Sequence, residues 1–176
     1  MPADMKGKVV IVTGGATGMG REAAKEFASV GARVAVVTGH NAAGGRETVS
    51  QIRQAGGEAE FFQCDVTKEE QVKAMAEHCI KELGKVTYLI NAQGFNKKHN
   101  LADFPEGDWD QMFAANVKSM MLTAKYFGPH MKANGYGKIV NYSSVRGIRA
   151  CGGGNVGYCS TKGAVDMLTR VCAVEL

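Results

Sequence analysis

A recurrence constrains this chain more than any single motif. Short apolar runs, Lys8–Thr13 (KVVIVT), Arg33–Thr38 (RVAVVT) and Val86–Asn91 (VTYLIN), each give way to a loop and then to a stretch with helical spacing. Glu58–Cys64 and Lys138–Tyr142 (KIVNY) extend the series to five. Runs of this length without polar alternation suit strands buried on both faces. Strands alternating with helices make a doubly wound parallel α/β sheet, and the order expected is 3-2-1-4-5. Such a sheet binds ligands outside the carboxyl ends of its strands, where the order reverses between the first and fourth.

The intervening segments read as helices. Arg21–Val30 places Ala24, Phe27 and Ala28 on one face before a stop at Gly31. Asn41–Ala55 is closed by Gly56-Gly57, and Thr67-Lys-Glu-Glu70 has the form of a capping box. Behind that box, Val72, Met75, Ala76, Cys79, Ile80 and Leu83 keep helical spacing, which is core packing. Asp108–Met131 is expected as a long helix interrupted near Gly128-Pro129, with Asn116 in its middle. Val156–Leu176 is the last helix, its pattern still running at the final residue.

Residues 1–176 fit a single domain with one good core. A hydrophobic fraction of 45% with 22% charged residues is that of a globular chain. The net charge is +4 with no long basic block, so no nucleic-acid partner is expected. No run reaches the roughly 18 apolar residues of a membrane span, and Met1–Gly7 is too short and polar for a signal peptide. The five cysteines (64, 79, 151, 159 and 172) lack paired spacing and read as free thiols of a reducing, cytoplasmic setting. No metal site is expected.

Two stretches carry chemistry. Strand, glycine turn and helix follow one another through Thr13-Gly14-Gly-Ala-Thr-Gly18-Met19-Gly20, the context in which backbone N–H groups at a helix start can meet a pyrophosphate. Its spacing is GxxxGxG, and the plain alternative is a glycine turn. The second stretch, Ser144–Lys162, holds a serine, a glycine-rich loop, and Tyr158 and Lys162 four apart. On a helix those two share a face. An ammonium beside a phenol favours the phenolate and suits it to acid–base work near neutral pH. The plain alternative is a surface helix with an aromatic–aliphatic contact. His40-Asn41, Asp65 and Ser144 follow strands two, three and five, so every chemically suggestive loop falls on one rim.

Taken together these residues resemble the short-chain dehydrogenase/reductase family. Thr13-Gly14-xxx-Gly18-x-Gly20 is similar to its TGxxxGxG cofactor loop, and Asp65-Val66 to its adenine-contacting pair. Asn91-Ala92-Gln93-Gly94 stands where the family usually has NNAG. Asn116, Ser144, Tyr158 and Lys162 match its catalytic tetrad, with Ser144 preferred to Ser143 because Ser-Val-Arg-Gly147 follows the family's Ser-x-x-Gly. The resemblance implies a Rossmann-like NAD(P)-binding domain that moves hydride between a nicotinamide and a carbonyl or alcohol carbon. Tyr158 would exchange the proton, Ser144 bind the substrate oxygen, Lys162 assist Tyr158 and hold the ribose, and Asn116 fix a relay water. Thr13, Gly14, Gly18, Met19, Gly20, His40, Asp65, Val66, Asn91 and Gly94 would contact the cofactor, together with Tyr158 and Lys162. NADP is expected, with NAD as the alternative, because Thr38-Gly39-His40-Asn41 offers no acid to the ribose and His40 and Arg46 are nearby in sequence.

The stretch NAQGFNKKHNLADF resembles family members of the gluconate 5-dehydrogenase type. A sugar acid, polyol or keto acid is therefore expected, drawn by Lys97, Lys98, His99, Arg146 and Arg149. A 3-oxoacyl-carrier-protein-type ketone reductase is the competing activity, and a cofactor-binding but non-catalytic module the competing class. The family usually continues with two more strands and a substrate loop, which leads to the expectation of an incomplete enzyme. The resemblance also implies a homodimer or homotetramer formed through the two C-terminal helices.

Overall fold

The structure, a computed structural model, describes residues 4–176; of the opening segment, Met1–Ala3 lie outside the described residues. Five parallel strands form one sheet: β1 (Val9–Thr13), β2 (Arg33–Thr38), β3 (Glu58–Gln63), β4 (Val86–Asn91) and β5 (Lys138–Asn141). Their order is β3-β2-β1-β4-β5, the one expected. Helices α1 (Gly18–Ser29), α2 (Ala42–Gln54), α3 (Glu69–Leu83), α4 (Glu106–Phe113), α5 (Ser119–Ala133) and α6 (Val156–Glu175) complete the domain.

β1 shows why its sequence cannot alternate. Val9 and Ile11 enter a core built with Val72, Met75 and Cys79 of α3 and Leu122 and Phe127 of α5. Val10 and Val12 point the other way, to Ala24 and Ala28 of α1 and Val49 and Ile52 of α2. Each face is covered, so every position of the strand is buried.

Two local expectations fail for identifiable reasons. The capping box at Thr67 does not form: Thr67 donates both its hydroxyl and its N–H to Asp65 Oδ1, at 2.7 and 3.0 Å. A nearer acceptor has captured the threonine in a local turn, and Lys68 takes the cap position without a side-chain bond. The long helix also breaks elsewhere than expected. It runs through Gly128-Pro129 to Ala133, because flanking Phe127 and Met131 are fully buried and outweigh a propensity cost of about 3 kcal/mol. The interruption is a π-helical turn at Ala114–Lys118, centred on Asn116. Among the described residues no helix is long and apolar enough to cross a membrane.

Candidate active site

Parallel register sets the floor of the site. Thr13 pairs with Asn91, and Asn91 with Asn141, so three polar residues stand side by side at the carboxyl ends of β1, β4 and β5. Thr13 Oγ1 lies 3.0 Å from Asn91 Oδ1, and Asn91 Nδ2 donates to Asn141 Oδ1 at 2.8 Å. Asn141 Nδ2 donates to Thr169 of α6 at 3.0 Å, and Thr123 of α5 donates to Asn91 Oδ1 at 2.9 Å. Thr13, Asn91 and Thr123 are fully buried, so this satisfied chain fixes the strand ends against two helices. Thr13 and Asn91 thus lie beneath the cleft as its support. Asn141, Thr123 and Thr169 were not foreseen; a polar residue closing an apolar strand was the only signal.

Above that floor the glycine loop leaves β1. Gly14 has φ +73, and a Cβ there would sit 2.6 Å from the Gln93 nitrogen. A Cβ at Gly20 would run into the Gly14 carbonyl oxygen. Only glycine permits this approach of loop, helix and β4. Arg21 braces the loop, donating to Ala16 O at 2.5 Å and to Thr48 Oγ1 at 3.0 Å, and Thr48 in turn donates to Gly15 O. Sequence reasoning missed both braces, whose partners are distant in sequence or lie in a loop. Helix α1 starts at Gly18 with no acidic residue in its first turn, which leaves its N–H groups free to meet an anion.

Two adjoining cavities open on this rim. One, of about 590 Å³, is lined by Gly14, Gly39, His40, Asp65, Val66 and Gly94 among others. The second, of about 310 Å³, is lined by Met19, Gly94, Tyr142, Ser143, Tyr158 and Lys162 among others. They share Gln93, Gly94 and Phe95, so Gly14, Met19, His40, Asp65, Val66 and Gly94 of the expected cofactor residues lie on adjoining hollows with the tyrosine–lysine pair, whereas Gly18, Gly20 and Ser144 line neither. Burial pushes the Asp65 carboxyl up, but the Thr67 hydroxyl and N–H and the neighbouring His40 hold it below its ordinary value. Arg46 is not at this cleft: its guanidinium stacks on Phe61, 4.9 Å from the ring centre, and lines a separate hollow.

Lys162 is 3% exposed and donates to the Tyr142 carbonyl oxygen at 2.5 Å. Its Nζ lies 5.6 Å from the centre of the Tyr158 ring, the expected neighbour one helical turn away. Burial lowers its pKa, with Asp166 opposing. Asn116 is fully buried, and its amide is spent on two elements. Nδ2 donates to Phe95 O at 2.9 Å and to Thr161 Oγ1 at 3.1 Å, while Oδ1 accepts from Phe95 N at 3.0 Å. The two serines differ in the same currency of donors. Ser143 donates its hydroxyl to Lys162 O at 3.3 Å, whereas Ser144 accepts from Arg146 N at 3.2 Å and keeps its proton.

The basic loop after β4 is less open than its sequence suggests. Lys97 donates to Asp108 Oδ1 at 2.6 Å, and His99 Nε2 lies 2.8 Å from Oδ2 of the same carboxylate. Lys98, Arg146 and Arg149 remain exposed.

The sequence model of the family described as "short chain dehydrogenase" matches residues 8–176. The chain belongs to the short-chain dehydrogenase family. It is 34% identical over 171 residues to the 2,5-dichloro-2,5-cyclohexadiene-1,4-diol dehydrogenase LinX of Sphingobium indicum, a match covering 97% of this chain and 68% of the relative. It is 30% identical to the 5-keto-D-gluconate 5-reductase of Escherichia coli, over 98% of this chain and 67% of the relative. The crystal structure of a Burkholderia xenovorans protein assigned to the short-chain dehydrogenase/reductases superposes with a TM-score of 0.92 at 34% identity, over 98% of this chain and 67% of that one. The chain therefore spans about two thirds of the length of each. Membership makes it an NAD(P)-dependent oxidoreductase of alcohol and carbonyl groups.

Proposed function

We propose that the cleft binds NADP(H) and that Tyr158 carries the proton transfer accompanying hydride exchange with an alcohol or carbonyl substrate. The observation that carries this reading is the shared lining of the two cavities, which sets Tyr158 and Lys162 beside the glycine cradle. A bound nicotinamide would supply or accept the hydride. Gly14, Gly18, Met19 and Gly20 would hold the pyrophosphate, Asp65 and Val66 the adenine, and His40 the 2′-phosphate. Asn91 and Thr13 support the loop, and Gly94 and Lys162 would hold the nicotinamide ribose.

Tyr158 gives its hydroxyl proton to the substrate oxygen in reduction and recovers it in oxidation. The Lys162 ammonium, fixed on Tyr142 O, offsets the charge left on the phenol. Ser144 donates to the substrate oxygen because its proton is uncommitted. Asn116 acts as a positioning residue, clamping the loop after β4 to the start of α6. Tyr158→Phe, assayed beside wild type, tests the assignment. Its NADPH affinity is expected to stay within about twofold, tighter than for NADH, while turnover falls by about 10²–10⁴. A Tyr158→Phe variant keeping a third of the wild-type rate would refute the proton role, and NADH binding as tightly as NADPH would refute the cofactor preference.

For the substrate we propose a polyol or keto acid. Lys98 and Arg146, both exposed beside Cys151, supply the attraction for a carboxylate, since Lys97 and His99 are engaged. The printed activities of the diol dehydrogenase and the 5-ketogluconate reductase fit a hydroxylated substrate. A keto acid is expected to show a higher kcat/KM than its neutral analogue, and the reverse ranking would sink this reading. We place the protein in the cytoplasm, where its free thiols suit a reducing medium. We also assign it a homodimer or homotetramer packed through α5 and α6.

A further inference from the structure

Cys151 and Cys159 differ from the thiols of the core. Cys64 and Cys79 pack between sheet and helices, and burial pushes their thiols up to about 11 and about 12. Cys151 and Cys159 are partly exposed, and their sulfurs lie 4.0 Å apart. A disulfide needs about 2.05 Å, so closing one requires a shift that draws the two sulfurs together. The backbone between them can supply that shift. Gly152, Gly153 and Gly154 follow Cys151, with Gly153 and Gly154 at φ +72 and +77. Around Gly152 there is nothing within 4 Å of a built Cβ.

The placement is as pointed as the distance. Cys159 stands in the first turn of α6, immediately after Tyr158. Cys151 opens the glycine loop. That loop is tied to the segment after β4: His99 N donates to Gly154 O at 3.0 Å, and Asn96 Nδ2 to Asn155 Oδ1 at 2.9 Å. Burial pushes the Cys151 thiol up and Cys159 adds to it, while the nearby Arg146 and Lys98 cations pull the other way. The net direction is upward, so the cations offset burial only in part, and it is the nearness of the two sulfurs that points to their reaction.

We propose that Cys151 and Cys159 form an oxidisable dithiol, a modification site at which a peroxide closes a disulfide across the glycine loop beside Tyr158. The Cys151 sulfur attacks one oxygen of hydrogen peroxide and the O–O bond breaks. Cys151 becomes a sulfenic acid, and the departing hydroxide takes up the thiol proton as water. The Cys159 sulfur then attacks the Cys151 sulfur, and its hydroxyl leaves with the Cys159 proton as a second water. The two thiols lose two electrons and two protons, the peroxide is reduced to two waters, and one S–S bond is made. The new bond pins the loop that holds the segment after β4 to the helix turn bearing Tyr158.

The test uses the unaltered protein, treated with hydrogen peroxide and mapped by mass spectrometry. A linked peptide containing Cys151 and Cys159, lighter by two hydrogens and restored by dithiothreitol, is expected. Hydrogen exchange across residues 152–158 should slow at least about threefold in the oxidised form. Cys159→Ser should leave a sulfenic acid on Cys151 that dimedone traps. Recovery of both residues as thiols, their separate conversion to sulfinic acids, or a linkage to Cys172 or to a second chain would each overturn the proposal. None of these measurements depends on turnover, so their outcome is separate from that of the Tyr158 assignment.

Discussion

Ser143 and Ser144 share a hydroxyl, but Ser143 lines the cavity with Tyr158 and Lys162 while Ser144 does not, and the direction of one hydrogen bond separates them further. Ser143 donates its hydroxyl hydrogen bond to the Lys162 carbonyl, while Ser144 accepts one from Arg146 N and can still donate. A substrate carbonyl needs a donor, and the need grows as charge develops on its oxygen. Ser144→Ala is therefore expected to lower kcat/KM by about 10²–10³ with cofactor affinity unchanged, the range for losing one such donor. Ser143→Ala should cost less than about fivefold. Equal losses in the two variants, read by steady-state kinetics, would contradict the assignment. The Ser-x-x-Gly spacing favours Ser144 from sequence, but who donates to whom depends on Lys162, 18 residues further along the chain.

At the scale of elements, Asp108 on α4 gathers Lys97 and His99 and so tethers the segment after β4. The Lys97 ammonium, with His99, holds the Asp108 carboxyl below its ordinary value of 3.8. A depressed carboxylate stabilises the fold fully above that ordinary value, and the contribution is lost as pH falls through the lower folded value. Trp109, the only tryptophan, reports on the tether: its ring packs 5.8 Å from Phe104 and 4.8 Å from Phe113. Asp108→Asn is expected to red-shift Trp109 emission at neutral pH and to flatten the acid transition seen in wild type below about pH 4. Unchanged emission and an unchanged acid titration would show that the tether is not held by this charge. The basic look of Lys97-Lys-His99 was misleading for one reason, since the neutralising partner sits on the next helix. The π turn at Asn116 was hidden in the same way. Asparagine marks a weak point in a helix, but its side chain is spent on Phe95 and Thr161, which only the packed fold brings near.

At the scale of the whole fold, an apolar stripe is exposed among the described residues. Met167, Val171 and Val174 follow one face of α6 and are 55%, 45% and 88% exposed, and Met121 of α5 is 39% exposed. The homodimer or homotetramer proposed above would cover that stripe. Light scattering should give a dimer or tetramer mass, and Val171→Glu with Val174→Glu should shift it to the monomer; a monomeric wild type would reject the assignment. What the sequence determined unaided was the sheet and its rim. Apolar strands that never alternate demand cover on both faces, and the alternation of strands with helices then makes the sheet parallel and brings the loops that carry the glycines, Asp65, Asn91 and Ser144 to its carboxyl edge. These are consequences of local periodicity and chain connectivity. Of the orders such a sheet adopts, this chain has β3-β2-β1-β4-β5. The tertiary structure alone decided the hydrogen-bond chain Thr13–Asn91–Asn141–Thr169, the braces Arg21 and Thr48, the pairing of Lys97 and His99 with Asp108, and the approach of Cys151 to Cys159. Each of these depends on where a polar atom finds its partner across a loop or another element, and spacing along one element carries no record of that distance.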